Sequence, residues 1–340
     1  MKRLCLLLAL LLPLTACGAP GEPAGDPPPS ERAVTFTDDL GQSFALEPPR
    51  RVAAMIGSFA DIWCLAGGRD SLIAAAGDAW TSFDLGLGED VADLGAVKEP
   101  NLEVLLAAEP DLILASVNTA ANLELKDTFA QAGLNAAYFE VDCFDDYLRM
   151  LEICTRLTGE PERYETYGTA VREQVETAIV RQDGSAPKVL YVRASGSSCK
   201  AKGSEGSVLG EMLAALGCVN IADSGGLLEN LSVEGIIAGD PDYIFAVLQG
   251  ADASAARKSL DAALLSNPAW SGLRAVREGR FITLDHKLYN LKPNARWGEA
   301  YERLADILYP NEICPPGAGG AGGPLRPAEP VPGGGGPGPG

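Results

Sequence analysis

Apolar residues recur along this chain with two periods. Between residues 34 and 310, short apolar runs alternate with stretches whose apolar side chains return every three or four positions, the signatures of strand and helix. Val34–Leu46 reads as a hairpin turning at Asp38-Asp39-Leu40-Gly41. Arg51–Ile56 reads as a strand, Gly57-Ser58 as a turn and Phe59–Ala66 as a helix. Strand Leu72–Ala76 leads into a loop, Gly77–Phe83, that carries Trp80 and Phe83. Strand Leu112–Ala115, helix Leu123–Ala132 and strand Ala136–Val141 follow, then an amphipathic helix over Phe144–Thr158. Further on come strand Lys188–Val192, a loop over Arg193–Gly203, helix Ser207–Leu216, strand Phe281–Leu284, a loop from Asp285 and a last helix, Ala295–Leu308. Strands alternating with helices predict an α/β fold with mainly parallel sheets.

One segment differs in scale. In residues 160–182 Tyr164, Tyr167, Val171, Val175, Ala178 and Ile179 form one apolar stripe, opposite Glu162, Glu165, Arg172, Glu173 and Glu176. This predicts a single helix, begun at Pro161, on the order of 35 Å long. It lies between two copies of one pattern. Leu102–Ala115 and Val233–Ala246 align without a gap at an offset of 131 residues, matching Glu103 to Glu234 and Pro110-Asp111 to Pro241-Asp242. Each copy reads as a short helix, an acidic-Pro-Asp turn and a buried strand. The offset is too long for a solenoid and predicts two similar lobes, 34–141 and 183–310, joined through a helical connection, 142–182.

The ends have a different composition. Lys2-Arg3 precedes the apolar run Leu4–Leu14, and Leu14-Thr15-Ala16-Cys17 follows. The run is too short to span a bilayer and fits a signal peptide, residues 1–16. Residues 17–33 read as a flexible tether, and residues 311–340, mostly Gly and Pro, as a disordered tail. The net charge of −19 argues against nucleic acid and against a polybasic membrane surface. Cys64, Cys143, Cys154, Cys199, Cys218 and Cys314 would remain after processing, with no C-x-x-C pair. Export permits disulfides, yet spacing leaves their connectivity open, and buried unpaired thiols serve equally well as a reading.

The lipobox-like Leu-Thr-Ala-Cys, the paired "Leu-Glu…Pro-Asp-Leu-Ile" and "Val-Glu…Pro-Asp-Tyr-Ile" segments, the helix between them and the terminal Arg296…Leu304-Ala305-Asp306-Ile307-Leu308-Tyr309-Pro310 carry a resemblance. Over roughly residues 34–310 the chain resembles the extracytoplasmic substrate-binding lipoproteins of ABC importers for ferric siderophores, haem or cobalamin. The resemblance implies two lobes joined by one rigid helix, with a ligand groove between them. It implies lipidation of Cys17, anchoring on the extracytoplasmic face of a bacterial membrane, and work as a monomer. It also implies that Glu103 and Glu234 dock on arginines of a permease dimer driven by a cytoplasmic ATPase. The plain alternative is a solvated Glu favoured by the helix dipole. A sensor or adhesin on the same fold is the second functional reading.

Ligands of parallel α/β sheets collect beyond the carboxyl ends of the strands. That places candidate ligand-binding residues at Ser58, Trp80, Phe83, Asn118, Arg193, Lys200, Lys202, Gln249, Tyr289, Lys292 and Arg296. So many bases in two loops of an acidic chain point to an anionic ligand, since Arg pairs carboxylates bidentately and aromatics cover an organic shell. Each base could instead be a solvated loop charge. A bare metal is not indicated, because His286 is the only histidine; haem ligation by His286 or Tyr289 is the weaker variant. An enzyme is the competing class, but no G-x-S-x-G elbow before a helix and no G-x-x-x-x-G-K-[ST] loop occurs. No resident cofactor is implied.

Overall fold

The computed structural model describes residues 32–310 except 225, 251 and 252. The signal peptide, Cys17, most of the tether, Cys314 and the tail lie outside the described residues.

Strands β1 (Val34–Thr37) and β2 (Ser43–Leu46) form the expected antiparallel hairpin. The first lobe then runs β3 (Val52–Ala54), α1 (Gly57–Leu65), β4 (Leu72–Ala75), β5 (Ala92–Asp93), α2 (Leu102–Ala107), β6 (Leu112–Ser116) and β7 (Ala136–Phe139). Its sheet has the order β5-β4-β3-β6-β7 and is parallel throughout. The connection is α3 (Phe144–Thr158) and α4 (Ala170–Ile179). The second lobe contains β8 (Lys188–Ser195), β9 (Ser198–Lys202), α5 (Val208–Ala215), β10 (Val219–Asn220), α6 (Val233–Gly239), β11 (Tyr243–Leu248), β12 (Phe281–Leu284) and the closing helix α7 (Trp297–Leu308). Its sheet is ordered β9-β8-β11-β12, with β10 beside β8; only β9 is antiparallel.

The repeat is structural. Each copy is a short helix (α2, α6) followed by a strand (β6, β11) that pairs in parallel with its lobe's first long strand (β3, β8). The shared Asp explains the pattern. Asp111 accepts from the backbone N–H of Arg50 and Arg51, and Asp242 from that of Lys188, so each carboxylate clamps the start of the neighbouring strand. The acidic residue before each proline, Glu109 or Asp240, takes a left-handed φ of 46° or 40° that ends the helix. An arginine covers the freed carbonyls in both lobes: Arg51 at Ala108 and Glu109, Arg274 at Asp240.

The connecting helix is shorter than predicted. Helical turns cover residues 163–179, about 25 Å at the usual rise. Pro161 sits in a turn ahead of them. A π-turn, Glu165–Thr169, widens the helix where the Tyr147 hydroxyl donates to the Tyr167 carbonyl (2.8 Å); a side chain inserted into the ladder is a recognised cause of such a bulge. The stripe is as read: Val171, Val175 and Ala178 are buried, while Tyr164, Tyr167 and Ile179 pack at the core's edge. Other boundaries moved as well. The loop expected at Gly77–Phe83 contains a helical turn, Asp78–Thr81, and the helix expected over Leu123–Ala132 is two short ones, Ala120–Glu124 and Lys126–Gln131.

The lobes are not joined by a helix alone. One apolar cluster runs from Phe36 and Trp63 in the first lobe through α3 and α4 to Tyr191 and Phe245 in the second and Tyr309 at the end. Trp297 is fully buried in it, 5.9 Å from the Phe144 ring. Separate clusters fill the outer side of each lobe. One close-packed core therefore runs continuously between the two lobes.

Candidate functional site

The site is built on the segment expected to be a loop at Arg193–Gly203. That segment is a hairpin, β8–β9, turning at Gly196-Ser197. Across an antiparallel ladder, paired residues share a face. Val192↔Ala201 and Ala194↔Cys199 face the outer core of the second lobe. Tyr191↔Lys202, Arg193↔Lys200 and Ser195↔Ser198 therefore share the other face. On that face β8 begins with Val189 and Tyr191 in the shared core and ends with Arg193 in a cleft. Alternation places the bases; a loop reading missed it because Ser-Gly-Ser-Ser and two lysines mask the period.

The cleft has two joined compartments. The outer one, of about 740 Å³, is lined by Arg193, Ser195, Ser198, Lys200, Lys202, Ser204 and Gln249, with Glu205 and Asp223 at its acidic side and Leu228 its exposed apolar residue. The inner one, of about 350 Å³, lies between the lobes and is lined by Asn118, Asp142, Arg193, Lys202, Tyr289, Asn290 and Lys292. Arg193 and Lys202 belong to both. Among the described residues Arg193, Lys200 and Lys202 have no ion-pair partner; Arg193 Nη1 lies 3.5 Å from Asn290 Oδ1. The Lys202 amine is lowered from its usual pKa by burial, then by the charges of Arg193 and Lys200, with Asp142 opposing. The wall therefore pays for holding three like charges together unless an anion joins them.

Asn118, Gln249, Tyr289 and Lys292 also line the compartments, and the remaining candidates lie outside them. Lys292 lines the inner compartment but is not a free base: its Nζ is 3.0 Å from Asp142 Oδ1. Tyr289 is only 2% exposed and its hydroxyl donates to the Ala300 carbonyl (3.1 Å), so it is a core residue whose edge reaches the cleft. Ser58 is buried, and its carbonyl accepts from Asn294. Trp80 packs on the core with Nε1 donating to the Leu87 carbonyl, and Phe83 is half-buried beside the same turn; neither lines the two compartments. Arg296 is exposed and paired with Glu299, also outside both. His286 stands 4.0 Å from Asp285 and lines neither. Among the described residues Cys64, Cys143, Cys154, Cys199 and Cys218 form no disulfide with one another, and burial pushes each thiol above its ordinary pKa.

On the first-lobe side, Asp78 Oδ1 accepts from the N–H of Gly57 (2.8 Å), the first residue of α1. A side chain at Gly57 would collide with the Asp78-Ala79 backbone at 2.6–2.9 Å, which is why glycine stands there. Burial pushes the Asp78 carboxyl up to about 6. A folded pKa above the unfolded value means that ionisation costs stability, and the cost grows as pH rises from about 4 through 6. Asp78→Asn keeps the acceptor and removes the charge. It is expected to stabilise the protein by about 1–2 kcal/mol at pH 7.5. Thermal melts at pH 4.5 should show most of that gain gone.

Glu103 and Glu234 occupy the first turns of α2 and α6, both exposed. The N-caps match as well: Asn101 accepts from Val104 N–H and Ser232 from Gly235 N–H, each at 3.1 Å. One turn on, Leu106 (40% exposed) and Ile237 (49%) are also equivalent.

Two α/β lobes on a shared core, with a cation-lined cleft at the carboxyl ends of their strands, define a solute receptor. The chain belongs to the periplasmic binding protein family, whose pattern matches residues 52–288; it is a solute-binding protein and not an enzyme. A Bacillus subtilis relative, the putative ABC transporter substrate-binding lipoprotein YhfQ, is 22% identical over 314 residues, 86% of this chain and 93% of that one. The apo form of the periplasmic haem-binding protein RhuT from Roseiflexus superposes with a TM-score of 0.62 at 22% identity, covering 76% of this chain and 98% of that one. Staphylococcus aureus SirA, solved with staphyloferrin B, gives 0.61 at 21% identity, covering 81% and 97%. At such identities the likeness establishes the fold.

Proposed function

We propose that this protein is the lipid-anchored substrate-binding component of an ABC importer and that it captures an anionic iron chelate between its lobes. The observation that carries the reading is the set of three unpaired cations, Arg193, Lys200 and Lys202, on one hairpin face in a chain of net charge −19. Cations kept together in an acidic protein favour a ligand that presents several carboxylates or other anionic oxygens. Relatives named for haem and for a siderophore complex make iron the natural cargo. Between those two, a ferric siderophore fits better than haem or a corrinoid. A siderophore completes the metal's coordination itself. Haem iron needs an axial ligand, and the two tyrosines lining the inner compartment, Tyr191 and Tyr289, are 1% and 2% exposed. Cys17 as the lipid site follows from the lipobox-like Leu-Thr-Ala-Cys and agrees with the lipoprotein name of the Bacillus relative.

Native mass spectrometry of the mature, unlipidated chain tests the ligand class. Incubated in turn with carboxylate-type ferric siderophores, haemin and cyanocobalamin, it should retain one siderophore at 1:1. Retention of haemin alone would reverse the preference, and no adduct at all would remove iron cargo from the reading. Docking has a separate test. Glu103→Ala with Glu234→Ala should abolish ligand uptake by cells while leaving affinity for the ligand unchanged, because both side chains are exposed and lie outside the cleft. Normal uptake by the double variant would sink their docking role.

A further inference from the structure

Four basic side chains line the joined compartments, and they are not equivalent. Arg193, Lys200 and Lys202 leave the hairpin with no acidic partner among the described residues. Lys292 arrives on the loop before α7 and meets Asp142 at 3.0 Å, both side chains being about 15% exposed (15% and 14%). Asp142 follows the first lobe's last strand, and its backbone N–H is held by Asp146 Oδ2 (3.1 Å) at the start of α3. It is thus the acid of the first-lobe wall, fixed by its own backbone and facing the basic wall of the second. Its charge is felt beyond Lys292, since it is the acid that opposes the lowering of the Lys202 amine.

We propose that Asp142 determines specificity: it is a built-in carboxylate that neutralises Lys292 and imposes a penalty that grows with a ligand's free negative charge, so that the cleft disfavours polyanions relative to ligands carrying fewer free anionic groups. The proposal rests on the anionic-ligand reading above. Its physics is that of a repulsive element placed inside an attractive site. An acid in a partly desolvated cleft is screened far less than one on the surface. It therefore opposes each additional negative group brought near it. The pair also gives Lys292 a partner in the empty cleft, where a fourth unpaired cation would add to the mutual repulsion of the other three.

The test uses Asp142→Asn, which matches the shape, leaves the backbone contact to Asp146 untouched and keeps an oxygen for Lys292. The probes are citrate, with three carboxylates, and acetate, with one, titrated calorimetrically into the mature chain. Asp142→Asn should bind citrate about tenfold more tightly than the parent protein at low salt. Most of the gain should survive 0.5 M NaCl, because a charge in a partly desolvated cleft is weakly screened. Acetate binding should change little. Lys292→Met should weaken citrate binding, because Asp142 then faces the ligand unpaired, and the double variant should return close to the parent. Unchanged or weaker citrate binding by Asp142→Asn, with the parent binding normally, would overturn the role of Asp142 and leave the anionic-ligand reading standing. Failure of both proteins to bind citrate would overturn the two together.

Discussion

Arg193→Glu is expected to abolish ligand capture, weakening a carboxylate-type chelate at least about a hundredfold. Arg193 is the one guanidinium lining both compartments, and it projects from the carboxyl end of β8 where the strand leaves the core. The substitution removes a forked donor that can hold a carboxylate in two hydrogen bonds. It also puts a negative charge among the cations where the two compartments meet. Arg193→Lys, which keeps the charge and loses the fork, should fall between, at about tenfold. The loss should arise in the cleft and not in the fold. Among the described residues the side chain's one hydrogen bond is the 3.5 Å contact to Asn290, so the melting temperature of either variant should stay within about 2 °C of the parent. Competition binding against a fluorescent ferric siderophore, paired with a thermal melt, reads both. Parent-like affinity in Arg193→Glu would remove the cation cluster as the basis of recognition.

The residues that made the lobes legible are those with a fixed backbone duty. Pro110-Asp111 and Pro241-Asp242 stood out because each Asp clamps the start of the neighbouring strand, a task few residues perform. The stripe on α4 was legible for a similar reason: burial of Val171, Val175 and Ala178 imposes the helical period. The π-turn was not, since it depends on a hydroxyl of Tyr147, twenty positions away, that no local pattern announces. The basic residues of the cleft were found by their excess over an acidic background. Their arrangement was hidden, because a strand whose outer face is basic and serine-rich looks like a loop. Pairing and packing add what the sequence leaves open. Lys292 and Arg296 looked free in sequence and have acids at 3.0 and 2.7 Å, one from a distant segment and one from the next helical turn. Tyr289 lines the inner compartment while its hydroxyl donates to the Ala300 carbonyl in the core. Asn294 carried no signal at all, although it ties the loop before α7 to the first lobe.

Asn294→Ala is expected to cause the largest loss of stability of any single substitution considered, about 3 kcal/mol. Asn294 is fully buried. Its side-chain amide donates to the Ser58 carbonyl (2.9 Å) and to Asp61 Oδ2 (2.8 Å), both in α1 of the first lobe. Its φ of 52° lies in the left-handed region, which asparagine tolerates better than alanine. Alanine would therefore add backbone strain to two lost hydrogen bonds. It would also leave Asp61 worse off. Burial already raises that carboxyl above its usual pKa, and the bond from Asn294 is what lowers it again. Because the folded pKa is the raised one, ionising Asp61 costs stability as pH climbs from about 4 upward. Without Asn294 the cost grows, so the penalty should be greatest at pH 8 and smaller at pH 4.5, where the native carboxyl can keep its proton. A drop in melting temperature of about 6–12 °C at pH 8 is the expected size. Asn294→Gly separates the causes: it relieves the φ but not the hydrogen bonds, and should recover only a minor share. A penalty independent of pH would show that the Asp61 contact contributes nothing, and full recovery by glycine would assign the whole effect to the backbone.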